Sequence, residues 1–293
     1  MTGDISVRVV FHLPPPALRP CFTTFYLTEI TVPDGGTVTD DLHPEWANLR
    51  LISGALPRSR IGAEPERTGL SAILTGPTSS AVRFTTGTSR IWGVGLLPLG
   101  WARFVGAPAN HYADRLCDAA RDPDLAMFRS LAGTLFGAEP DEATELARIT
   151  AWFEARAGVP VADEARILAC HTALLNPEVS NVAAMAEASG IAAHTLERLC
   201  RRHFGFPPRM LLRRQRFMRS LTHYMLDPSL RWIGAIDGHY HDQAQFVRDF
   251  HRFMGTSPSE YAATPHPVLA SVMRARQEAA GAAVQALHVP DLR

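Results

Sequence analysis

"SGIAAHTLERLCRRHFGFPP" occupies residues 189–208, and "GHYHDQAQFVRDFHRFMGTSP" occupies residues 238–258. Each run passes from a turn into an arginine-bearing amphipathic stretch, then to a glycine and, three residues on, to a proline. Ahead of the first, "NVAAMAEASGI" predicts a short helix with Val182, Met185 and Ala186 inward. It breaks at Gly190, which can take the left-handed turn conformation without steric cost. "HTLERLCRRHF" then sets Leu196, Leu199, Cys200 and either His203 or Phe204 on one face, with His194, Glu197, Arg198 and Arg201 opposite. A helix, a short turn and a second polar-faced helix make a helix-turn-helix.

The second run repeats the first at an offset of 50, from Leu196↔Phe246 through Arg198↔Arg248, Cys200↔Phe250, Gly205↔Gly255 and Pro208↔Pro258. Before the turn the offset is 49, as in Ala186↔Ala235 and Ile191↔Tyr240, so the second turn holds one more residue. Its outward positions are Ala244, Arg248 and His251, with Gln243 and Gln245 near the N-terminal end. Two copies are too few for a solenoid, which needs about three. Between them "PRMLLRRQRFMRSLTHYML" predicts a long helix, apolar at Leu211, Leu212, Met218 and Leu221 and cationic at Arg213, Arg214, Arg216 and Arg219. Such a helix would hold two recognition helices at a fixed separation, suiting major-groove segments roughly 34 Å apart on one face of DNA.

The 293 residues suit two domains rather than one, and 46% apolar with 20% charged residues describes a chain able to bury a core. No run approaches the roughly 18 apolar residues of a membrane span, and the start lacks a secretory pattern. Cys21, Cys117, Cys170 and Cys200 are scattered without zinc-type spacing, which suits free thiols in a reducing cytoplasm. All 29 basic residues are arginine, a trait of GC-rich coding that carries no function. Net charge is zero but uneven: −5 over residues 1–179 and +4 over residues 180–262. A basic second part is the one expected to meet a polyanion.

Residues 1–112 read as β-rich, through "ISVRVVFHL", "CFTTFYLTEITV", "NLRLISG", "SAILTG", "AVRFTTG" and "RIWGVGLLPL" with Gly and Pro clusters between them. The expected fold class is α+β: a barrel or cupin-like first domain, a helical connector over 113–178, and an all-α unit over 179–263 with two helix-turn-helix motifs. In the connector, Asp122 before Pro123 opens a helix that stops at Gly137. Two more helices carry Leu146, Ile149, Trp152 and Phe153, then Ile167, Leu168, Leu174 and Leu175. Residues 264–293 form a tail, read equally as a peripheral helix or as partly disordered.

Residues 180–262 resemble the DNA-binding domain of the AraC family of bacterial transcription regulators, through "AEASGI", "LERLCRRHFGFPP", "LRRQRF" and "FVRDFHRFMGTSPSEY". The resemblance implies a sequence-specific regulator in which His194, Glu197 and Arg198 meet base edges in one groove and Gln243, Gln245 and Arg248 in the next. Arginine suits guanine and glutamine suits adenine in the major groove. Arg201 joins the DNA-facing set, and Arg202, Arg213, Arg214 and Arg252 are expected on phosphates, setting register. Arg216 and Arg219 fit either a DNA contact or packing of the linker. Beyond double-stranded DNA, the resemblance admits a small-molecule effector, RNA polymerase and a second copy of the chain as partners. It implies no cofactor, no metal and no catalysis. The sequence departs from the family at three places. His239 stands where the second turn has glycine, a costly position for a left-handed residue. Cys200 replaces a phenylalanine, and Glu197 repels phosphate but can accept from cytosine.

The alternative is a cupin-like metal-dependent enzyme or small-molecule-binding protein with an appended helical domain. "LHPEW", with His43 and Glu45, resembles part of a cupin metal site, but such a site needs further histidines downstream, where the β region adds only His111, at its edge. His239 and His241 in "GHYHDQ" read as turn and surface residues, and no GxSxG, P-loop or dinucleotide fingerprint occurs. Trp46, Trp92, Trp101, Phe25 and Tyr26 read as core, with an effector pocket as the other use of such aromatics.

Overall fold

The structure, a computed structural model, describes residues 5–227, 232–280 and 284–290. Nine strands come first: β1 (Ser6–His12), β2 (Phe22–Thr31), β3 (Val38–Leu42), β4 (Ala47–Gly54), β5 (Arg58–Ile61), β6 (Ala72–Thr75), β7 (Val82–Thr86), β8 (Ser89–Leu96) and β9 (Leu116–Asp118). They build two open antiparallel sheets, one ordered β1-β2-β8-β4-β6-β9 and one ordered β3-β7-β5. The six runs expected from sequence are six of these strands. The other three were not expected. β3 (VTDDL) and β5 (RSRI) lie in the small sheet, where alternate residues are exposed and polar, so neither reads as an apolar run. β9 pairs with β6 and carries the sheet region past residue 112, a correction to the expected boundary.

Period-2 alternation gives the large sheet two different faces. Phe25, Leu27, Leu49, Leu51, Trp92 and Val94 enter the main core, whereas Tyr26, Thr28, Ile30, Asn48, Arg50 and Ile52 line a cavity against the small sheet. Gly93 of β8 lies opposite both Tyr26 and Arg50, and a Cβ there would sit 1.9 Å from the Tyr26 ring. Only glycine lets that ring lie across the strand.

The helices follow: α1 (Pro98–Phe104), α2 (Phe128–Thr134), α3 (Glu142–Glu154) and α4 (Glu164–Leu175). Asp122 does cap a turn, but a short 3-10 one over Pro123–Leu125, and α2 starts only at Phe128. Ile149 and Phe153 of α3 pack on Phe22, Phe25 and Phe104. Glu145, also on α3, is buried because Arg90 and the Trp92 indole of β8 both donate to it. The core then continues without a break into the first helix-turn-helix unit, through Met185, Ile191, Leu196, Leu199 and Phe204.

α5 (Val182–Ser189), α6 (Ala193–Leu199), α7 (Pro208–Leu226), α8 (Trp232–Ala235), α9 (Gln243–Met254), α10 (Pro258–Ala263) and α11 (Pro267–Ala280) complete the order. α11 belongs to the tail, and it is not peripheral. Val268, Leu269, Met273 and Arg276 are buried against the β region. Its first backbone N–H groups need acceptors from outside the helix. Asp40 of β3 supplies them, accepting from Val268 N and Leu269 N at 2.9 Å each and meeting His266 Nδ1 at 3.0 Å.

Candidate nucleic-acid interface

Local chemistry sets both recognition elements. Asn181 caps α5 by accepting from Ala184 N, and Gly190 turns the chain with φ +64°. α6 then runs into a π turn over Cys200–Phe204 and ends at Gly205, φ +83°. That wider turn buries both His203 and Phe204, where a plain helical face admits one of them. In the second unit Asp242 caps α9 by accepting from Gln245 N, and Gly255 ends it at φ +71°. Phe246, Phe250 and Phe253 pack with Phe217 of α7. A reciprocal capping box between Ser257 and Glu260 opens α10.

His239 escapes the expected strain. Among the described residues the non-glycine position with positive φ is Asp114, not His239. The extra residue in the second turn lets the chain pass without a left-handed step. The Asp237 carboxylate holds the turn instead, accepting from His239 N at 2.9 Å and pairing with Arg219.

The arginines divide sharply by environment. Arg198, Arg201 and Arg202 are exposed on the first recognition element, as are Arg248 and Arg252 on the second. His194 and Gln243 are exposed beside them, and Gln245 is half-buried, its side-chain oxygen accepting from His241 N. Glu197 is ion-paired with Arg201 at 2.9 Å, one turn along the same face, which neutralises part of its repulsion toward phosphate. Four linker arginines, Arg213, Arg214, Arg216 and Arg219, instead have partners inside the protein, while Arg209 is exposed. Arg213 and Arg216 both pair with Asp249, a fully buried carboxylate on α9 that also accepts from Tyr240 Oη at 3.0 Å. Arg216 and Arg219 are therefore packing residues of the linker.

Arg214 corrects the expectation of a phosphate contact. It is fully buried, donates to Thr78 O at 2.9 Å and Glu45 O at 3.3 Å, and lies 4.2 Å from the centre of the Trp46 ring. Burial lowers its pKa to about 10, and it stays charged at neutral pH. Sequence pattern misplaces it because the β region approaches α7 on the side that looks like a free cationic face. Arg213, 37% exposed, also serves first as a partner of Asp249.

A cleft of about 610 Å³ separates the two units, lined by Asn181 and by Arg209, Arg213, Arg216, Arg219 and Arg248. Residues 185–264 match a protein family described as a helix-turn-helix domain. This segment is an AraC-type helix-turn-helix domain. No curated protein matches the chain. Among solved structures it is similar to ToxT from Vibrio cholerae, at 12% identity over 89% of this chain and 98% of that one, with a TM-score of 0.41. ToxT from strain O395 bound to (E)-4-(8-methylnaphthalen-1-yl)but-3-enoic acid scores the same, at 12% identity over 89% and 99% of the two chains.

The AraC-type domain is tied to the β region at several points besides Arg214. Ala81 N donates to Phe253 O at 2.7 Å, and His43 Nε2 meets Tyr261 Oη at 2.7 Å. Burial drops the His43 ring to about 3, so it is neutral. With Glu45 paired to Arg50, the two residues of the cupin-like "LHPEW" are engaged in structural contacts. Of the five aromatics, Trp46, Trp92, Trp101 and Phe25 are core, and Tyr26 lines the cavity between the sheets. Sequence reading missed Asp249 and Arg276. A carboxylate on the apolar Phe246–Phe250–Phe253 face was the available signal for the first, because a buried acid demands cationic partners.

Proposed function

We propose that the chain is a sequence-specific DNA-binding regulator of transcription, setting α6 with its π turn, and α9, into successive major-groove segments. The observation that supports this best is the fate of the arginines. Arg213, Arg214, Arg216 and Arg219 of the linker are engaged by internal carboxylates and carbonyls, whereas Arg198, Arg202 and Arg248 make no hydrogen bond or ion pair among the described residues. Exposed guanidinium groups repeated at equivalent positions of two helix-turn-helix units fit a polyanion read twice. On this reading Arg198 and Arg248 fork to guanine, with His194, Glu197, Gln243 and Gln245 beside them at base edges. Arg201, Arg202 and Arg252 hold phosphates.

The cavity between the sheets supports control by a small molecule. Its polar lining includes Tyr26, Asn48, Arg50 and Arg276, and most of the remaining lining is apolar. Arg276 Nη1 has no hydrogen-bond partner, while Nη2 donates to Thr24 Oγ1 at 2.9 Å. At about 120 Å³ the cavity is smaller than the roughly 300–1,000 Å³ of most ligand pockets, so a larger effector must displace α11. Because α11 follows α10 directly, that displacement would pull on the second helix-turn-helix unit.

Binding to chromosomal fragments across a salt series tests the DNA reading. Log affinity should fall linearly with log salt, by roughly 0.9 per phosphate contact. A flat response, or equal affinity for every fragment, defeats it.

A further inference from the structure

Cys170 of α4 and Cys200 at the start of the π turn are fully buried, and their sulfurs lie 3.6 Å apart, in contact. They come from segments 30 residues apart, the connector and the first recognition element. Neither has a role in the DNA-binding reading, and Cys200 stands where the resemblance leads one to expect phenylalanine. Cys21 and Cys117 are also buried thiols, but no second cysteine sulfur lies against either among the described residues.

We propose that Cys170 and Cys200 are a redox pair, closed by hydroperoxides into a disulfide that displaces the first recognition helix and so weakens its half of the DNA site. The regulatory half of this proposal rests on the DNA-binding reading above; the covalent half does not. One thiol attacks the peroxide, breaking the O–O bond to give a sulfenic acid and one water (an alcohol from an organic peroxide). The second thiol then attacks that sulfur, forming the S–S bond and releasing another water. Both sulfurs are oxidised and the peroxide is reduced, so atoms and electrons balance without a further reactant.

The geometry dictates where the change is felt. A disulfide needs sulfurs about 2.05 Å apart, so closure takes up about 1.5 Å. α4 is pinned along the face that carries Cys170, with Ile167 and Leu174 in the main core and His171 edge-on to Trp46. The π turn is the softer partner, since such turns are single insertions into an α-helix. Arg198, Arg201 and Arg202 flank Cys200 on the outward side, so a shift of Cys200 moves the DNA-facing groups with it. The shared hydrogen between the two sulfurs, then burial, holds the Cys170 thiol well above its ordinary range. Few thiolates exist near neutral pH, and the pair should answer sustained rather than trace peroxide.

The test uses the full chain, reduced or treated with hydrogen peroxide. Oxidised protein should lose the mass of two hydrogens, and a non-reducing digest should link the peptides carrying Cys170 and Cys200. Its affinity for a bound chromosomal fragment should fall about tenfold, the worth of one good base contact, and dithiothreitol should restore it. Reduced Cys170→Ala should bind as the parent does and be indifferent to peroxide. Cys170 and Cys200 surviving as thiols while other cysteines oxidise overturns the proposal, as does a disulfide that leaves affinity unchanged. If the reduced protein binds no DNA, the regulatory half falls with the DNA reading, and the mass readout alone decides the pairing. Should Cys170→Ala fail to fold, mass and affinity of the parent still decide.

Discussion

Replacing Arg214 with alanine distinguishes an arginine that joins the two halves of the protein from one that touches DNA. No carboxylate lies within ion-pair distance of Arg214 among the described residues; its support is two backbone carbonyls and the face of Trp46. Truncation removes roughly 100 Å³ of side chain, and at about 24 cal/mol per Å³ a partly collapsed void costs roughly 1–2 kcal/mol. The stranded Thr78 carbonyl adds about 1–3 kcal/mol, whereas the Glu45 carbonyl still accepts from Thr78 N at 3.0 Å. Release of a desolvated charge offsets a few kcal/mol of this, because a buried ion without its own counter-ion is costly. The net expectation is a loss of about 1–2 kcal/mol, or roughly 2–8 °C in the melting temperature. Arg214→Met, which keeps the stem over Trp46 and removes the charge, should fall between the two. Thermal unfolding measures the first quantity, and the salt dependence of DNA affinity measures the second. The slope of log affinity against log salt should not change. An unchanged melting temperature with a slope shallower by about 0.9 would show that Arg214 neutralises a phosphate, and the interface argument would be wrong.

Arg248→Ala should cost about 1–3 kcal/mol on the preferred site and flatten preference at one base pair; an equal loss on all single-base variants would make its role electrostatic. Asp249→Ala strands Arg213 and Arg216, but Arg213 is more than a third exposed and can turn to water, so the loss should be near 2 kcal/mol, below the usual range for a broken buried pair. A denaturation midpoint equal to the parent's would refute that hub. Acid should destabilise the fold through His43 and His171, both held at about 3 by burial. Their folded values lie below the unfolded value, so their contribution is fully present above about pH 6.5 and is lost on acidification, about 2 kcal/mol each by pH 5. His266 works in the opposite sense. Burial lowers its pKa, but Asp40 more than offsets that, so the net shift is upward and its contribution fades as pH rises through the folded value. Chemical denaturation between pH 5 and 8 reads the sum, and stability that rises toward pH 5 would refute the histidine assignment.

The sequence by itself determined the helix-turn-helix units. A glycine, an amphipathic run and a glycine–proline stop are local instructions, and they recur at Gly190, Gly205 and Gly255 with the conformations that the pattern demands. It also determined which arginines stand outward on the two recognition helices, since 3.6-residue periodicity fixes the face opposite Leu196 and Phe246. Periodicity names a face but not the neighbour that arrives there. Tertiary structure alone brought Thr78 and the Glu45 backbone to Arg214, Asp249 to Arg213, and Cys170 to Cys200. The tail shows the same limit. Its alanine-rich pattern is compatible with a free helix, and only the meeting of Val268, Leu269 and Arg276 with strands more than 200 residues earlier makes it a wall of the cavity. For the same reason the expected boundary at residue 179 does not divide the core, which runs from Leu18 to Leu212 because α4 packs on α1 and Trp46 on one side and on α5 on the other.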